Sequence, residues 1–139
     1  MLMLHEIGDN VVDQNSNANN AAIMRSRGAY QQSQKTVEKP EDTDAMVLML
    51  AADRLQNVKA TPNEAVFEET LLYNQAIWTV IQSEMTEDHP LPIEIKTNII
   101  SLSLFVDKQT AKAIGTQDPQ KVDSLISINR NIAAGLMSK

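Results

Sequence analysis

Beyond residue 40 the apolar residues recur at three- and four-residue spacings, in stretches separated by prolines or glycine. Val47, Leu48, Ala51, Leu55 and Val58 form one stripe. Pro40 with Glu41, Asp42 and Asp44 precedes it and suits the positive end of a helix, so the pattern predicts a helix over 41–58. Phe67, Leu71, Asn74, Trp78, Ile81 and Met85 repeat the spacing and predict a helix over 63–85. Thr61-Pro62-Asn63-Glu64 reads as its start, with Thr61 as cap, Pro62 in the first turn and Glu64 closing a capping box. The third stretch is ambiguous at short range, because Leu102, Leu104 and Val106 alternate with Ser101, Ser103 and Phe105 as in a strand. The apolar pattern nevertheless runs from Ile93 to Ile114, so length favours one helix over 92–114, buried nearly all round. Gly115 is expected to stop it. Asp118-Pro119 then caps and opens a last helix over 119–137, with Val122, Leu125, Ile126, Asn129, Ile132, Ala133 and Leu136 on one face.

The region before these helices is different. Residues 8–20 carry five asparagines and little to bury, so nothing offsets an ordering cost of about 1–2 kcal/mol per residue. Residues 1–27 are therefore expected to be a mobile tail, its functional alternative being a tail that orders on a partner. A natural start at Met24 would remove most of it. A short helical segment is expected at 29–37. The fold class predicted is all-α, a compact bundle of four to five helices over residues 28–139.

Composition narrows the function. At 139 residues the chain fits one domain, and its net charge of -6 disfavours nucleic acid, whose phosphates need clustered Lys and Arg. No cysteine is present, which removes disulfides, thiolate zinc sites and a cysteine nucleophile and fits a reducing cytoplasm. Glu6 and Asp9 break the apolar start, so no signal peptide is expected, nor any membrane insertion.

Candidate chemistry is sparse. His5 and His89 have no third ligand at metal spacing, the four glycines are isolated, and Ser101 and Ser103 have no base placed by sequence. Glu68, Glu69, Glu87 and Asp88 read as solvated helix faces rather than an acid–base pair. The chain reads as a non-enzyme without metal or cofactor. What stands out is polar side chains on apolar stripes. Asn74 and Asn129 either satisfy neighbouring backbone or each other, or serve as hydrogen-bonding posts in a groove for an incoming helix. Trp78 and Phe67 are core or partner-binding residues. Arg130 is either a surface cation complementing a helix end or part of the same site.

These residues carry a resemblance. Tyr30-Gln31-Gln32 before Pro40, Asn74-Gln75-Ala76-Ile77-Trp78, Leu91-Pro92 leading to Ile99-Ile100-Ser101-Leu102-Ser103-Leu104-Phe105-Val106, and Ile128-Asn129-Arg130-Asn131-Ile132 ending in Gly135-Leu136 occur in order. Together they resemble the FlaF family of flagellar regulators of alphaproteobacteria, over about Tyr30 to Leu136. Phe105 stands where many relatives carry tryptophan. The resemblance implies a small helical cytoplasmic protein required for flagellin production. Such a protein would act as a chaperone or adaptor that binds flagellin before export, opposite an FlbT-like regulator that restrains flagellin translation. The alternative is post-transcriptional control exerted together with that regulator. Candidate partner-binding residues are Tyr30, Asn74, Trp78, Phe105, Asn129 and Arg130. Met46, Met49 and Met85 could help a groove adapt, core filling being their other reading.

Overall fold

The computed structural model describes residues 22–25, 27, 29, 40–60 and 63–137, and the described residues are all-α. Four helices follow in order: α1 Pro40–Ala60, α2 Glu64–Glu84, α3 Ile93–Thr116 and α4 Asp123–Met137, the last entered through a single 3-10 turn, Pro119–Val122. No strand forms over 99–106, so the alternation there belongs to a helix. Residues 22–25, 27 and 29 are also helical, and Ala22 is buried, so part of the stretch expected as a mobile tail is helix. Tyr30, Thr61, Pro62, His5 and nearly all of the segment expected at 29–37 lie outside the described residues.

The predicted ends are corrected in three places. Asn63 caps α2, its side-chain oxygen accepting from the Val66 amide, and Glu64 is the first helical residue rather than the far end of a capping box. Gly115 does not end α3. The helix runs one residue further and closes on Gln117, whose φ of 54° puts it in the left-handed region while its amide bonds to the Ala113 carbonyl. Gly115 faces open space, so nothing about its lack of a side chain forces a stop there. Asp118 does cap as expected, bonding the Gln120 amide, but the turn it opens is 3-10 and the α-helix starts four residues later.

Short connections make the helices alternate up and down. Ser103 meets Gln82 while Asp107 meets Gln75, so α2 and α3 are antiparallel. The ion pair of Lys59 with Asp123 and that of Arg130 with Asp53 run α1 and α4 antiparallel. In such a bundle each helix has two neighbours and one diagonal partner. The seams α1–α2, α2–α3 and α1–α4 are closed, whereas α3 and α4 touch only sparsely. No Cα atoms of α2 and α4 come within 8 Å, nor do those of α1 and α3. The core is filled by Leu48, Leu55, Leu71, Ile77, Trp78, Ile81, Ile99 and Leu125.

The α2–α3 turn is held by a charge. Lys96, buried in the first turn of α3, donates its ammonium protons to the carbonyls of Thr86, Glu87 and His89, at 2.8, 3.4 and 3.3 Å. His89 holds the same turn through Nδ1, which accepts from the Leu91 amide. These carbonyls follow the end of α2, where its dipole is negative. Lys96→Met keeps the stem and removes the donors, and is expected to cost about 2 kcal/mol in urea unfolding. Lys96→Arg should recover part of that loss.

Candidate partner-binding site

The centre of the bundle contains a polar cluster whose orientation follows from chemistry alone. The Trp78 indole can only donate, so the Asn129 oxygen must face it, and it does, at 2.8 Å. That leaves the Asn129 amide to donate, which it does twice, to the Leu48 carbonyl at 3.2 Å and to the Asn74 oxygen at 2.7 Å. All three side chains are fully buried. One asparagine on α4 thereby joins α1 and α2, reaching across the diagonal that the backbones leave open. The Asn74 amide nitrogen, itself buried, has no acceptor.

Of the two readings of Asn74, Asn129 and Trp78, the structure therefore gives the internal one. None presents an atom to a partner in this fold, and Phe67 is likewise buried. Arg130 lies outside the cluster, half exposed, with its guanidinium 3.7 Å from the Asp53 carboxylate. A surface pair of that length contributes at most about 1 kcal/mol. Met49 is exposed on α1, while Met46 and Met85 are partly buried.

Beside the cluster, Arg54 stacks 4.7 Å from the ring centroid of Tyr73. Burial pushes the Tyr73 phenol above its ordinary pKa, and the Arg54 and Arg25 charges pull it partway back. The group stays protonated at neutral pH.

Phe105 departs from the expectation that its helix is buried nearly all round. It is 42 % exposed, and Ile93 and Leu104 are more so. Counting in helical steps, Asn98 and Phe105 share one flank of α3, two turns apart. That flank faces the sparse seam. There the two helices leave an open groove of about 210 Å³, lined by Ile95, Asn98 and Ile99 from α3 and Asn131, Ile132 and Gly135 from α4. Its floor is apolar and its rim is amide and glycine. Thr97 to Val106 contains no charged residue, and Ser124 to Met137 contains only Arg130, which turns toward α1. Depletion of charge around an apolar floor is what the centre of an interface requires. A second cleft, about 340 Å³, lies where Ile23 and Arg27 approach Leu72, Ala76 and Val80, on the outer side of α2. It belongs to the approach of the preceding segment rather than to a seam of the bundle.

Phe105, the candidate that the sequence names on α3, lies on the flank beside the groove and not in its lining, and none of the lining residues is among the sequence candidates. The signal available was the absence of charge over 97–106 together with Asn98, Asn131 and Gly135 on exposed positions; apolar periodicity alone cannot separate a seam that closes from one that stays open.

The described residues define an all-α bundle with an internal polar staple and an open α3–α4 seam whose lining carries no charge. The chain belongs to the FlaF family: the family model described as flagellar protein FlaF matches residues 26–136. No curated protein and no solved structure matches it. Among the described residues no helix is long and apolar enough to cross a membrane.

Proposed function

We propose that this FlaF-family chain binds flagellin in the cytoplasm before export, as a secretion chaperone or adaptor, and so supports flagellin synthesis and filament assembly without catalysing a reaction. The observation that carries this reading is the open α3–α4 seam, where an apolar floor with an uncharged rim offers an amphipathic helix a place to bury its stripe. Family membership supplies the flagellar setting. A chain with a net charge of -6 is a poor binder of messenger RNA, which favours a protein partner over direct translational control.

The test is capture of purified flagellin, compared with a known flagellin chaperone. Wild-type protein should retain flagellin, whereas Phe105→Glu places a charge on the exposed flank and should weaken capture at least about tenfold. Since Phe105 is outside the core, its melting temperature should move by no more than roughly 2 °C. A wild-type protein that ignores flagellin refutes the proposal. Control of translation with an FlbT-like regulator would instead show as a reporter, carrying the flagellin leader and no flagellin coding sequence, that responds to deletion of this gene.

A further inference from the structure

The α3 flank beside the groove is not electrically uniform. In steps of three and four it reads Glu94, Asn98, Ser101, Phe105, Lys108, Lys112, all exposed: acidic at the first turn, neutral over the groove and basic beyond it. Both ends are reinforced. The turn pinned by Lys96 brings Glu87 and Asp88 up to the acidic end, both exposed. At the other end Gln109 donates to the Lys121 carbonyl, which brings a third lysine to that end of α3, together with Asp118 of the same turn. A helix is itself a dipole, positive at its N-terminus and negative at its C-terminus.

Resting on the proposed flagellin-binding role, we infer that the α3–α4 groove takes one amphipathic helix in a fixed direction, its N-terminal end at Glu94 and its C-terminal end at Lys112. The bound helix runs parallel to α3 and antiparallel to α4, giving the groove region a third wall. The stretch from Glu94 to Lys112 on one continuous helix sets its length at about five turns, on the order of 27 Å. Its groove-facing side is apolar and uncharged, because the rim amides of Asn98 and Asn131 offer a charge no counter-ion. Charge at the ends gives direction, and apolar burial gives affinity.

The absence of cysteine makes direction measurable. Thr97→Cys and Thr116→Cys, each on an exposed, uncharged position of the full-length chain that leaves Glu94 and Lys112 in place, accept a photoreactive maleimide, and irradiation with monomeric flagellin followed by mass spectrometry locates the crosslinks. The expected result is that both labels mark one flagellin helix, the Thr97 label at residues about ten or more positions N-terminal to those marked from Thr116. Reversed order overturns the direction. Capture of flagellin without crosslinks from either position overturns the groove while leaving the flagellin role intact, and failure of the unlabelled wild-type protein to bind overturns both. Independently, Glu94→Lys combined with Lys112→Glu should weaken capture roughly three- to tenfold with unchanged helicity. Unaltered capture by that variant overturns the electrostatic account.

Discussion

Asn129→Asp is expected to destabilise the domain by about 3–5 kcal/mol at neutral pH, enough to unfold much of it. Aspartate keeps the oxygen that accepts from Trp78 but turns two donated hydrogen bonds into oxygens facing oxygens, against the Leu48 carbonyl and Asn74. It also places a negative charge at a fully buried position with no cation among its bonded partners. The pH dependence identifies the cause. Desolvation and the two facing oxygens raise the carboxyl's folded pKa above its unfolded value, so the folded variant binds the proton more tightly than the unfolded chain. Its stability is therefore greatest below the ordinary carboxylate range and declines as pH rises through the raised value. Chemical denaturation at pH 4.5 and pH 7, on the order of two units apart across that window, should show the variant recovering at the lower pH relative to wild type. Equal loss at both would mean that shape rather than charge is at fault. A folded variant lacking only flagellin capture would contradict the internal role altogether.

Trp78→Ala is the second large effect, expected at about 3–5 kcal/mol by differential scanning calorimetry or urea unfolding. The indole fills the diagonal between α2 and α4, where no backbone comes close enough to collapse into the void. The substitution also strips the Asn129 oxygen of its donor. Trp78→Phe separates the two contributions: it retains most of the volume and loses the N–H, and should cost about 1–3 kcal/mol. If the two variants lose equal stability, the hydrogen bond rather than the cavity carries the effect.

Much of this architecture was legible in the order of residues. The stripes Val47 to Val58 and Phe67 to Ile81 lie on the buried faces expected of them, because amphipathic helices long enough to span a small domain leave few other arrangements. Asn74 and Asn129 are legible as anomalies, with bonding to each other or to backbone among their readings, but sequence does not select between these and a groove, since a hydrogen bond joining residues 55 positions apart depends on which helices become diagonal neighbours. Lys96 was invisible. Its role rests on three carbonyls, and every residue has one. The cap at Asn63 was misread because Thr61, Pro62 and Asn63 each suit the beginning of a helix, and only the backbone path selects among them. The groove was hidden for the opposite reason. Ile95 and Ile132 look like core residues, and both are partly buried, in a seam that stops short of closing.

The staple at Asn129 divides the mechanical labour of the bundle. It welds α1, α2 and α4 into a frame, and no hydrogen bond of the cluster reaches α3. That helix is attached through its packing on α2, the Ser103–Gln82 and Gln75–Asp107 hydrogen bonds, the Lys96 turn and the 3-10 turn that follows it. A substitution at Asn129 thus acts on three helices at once and breaks none of the bonds that hold α3.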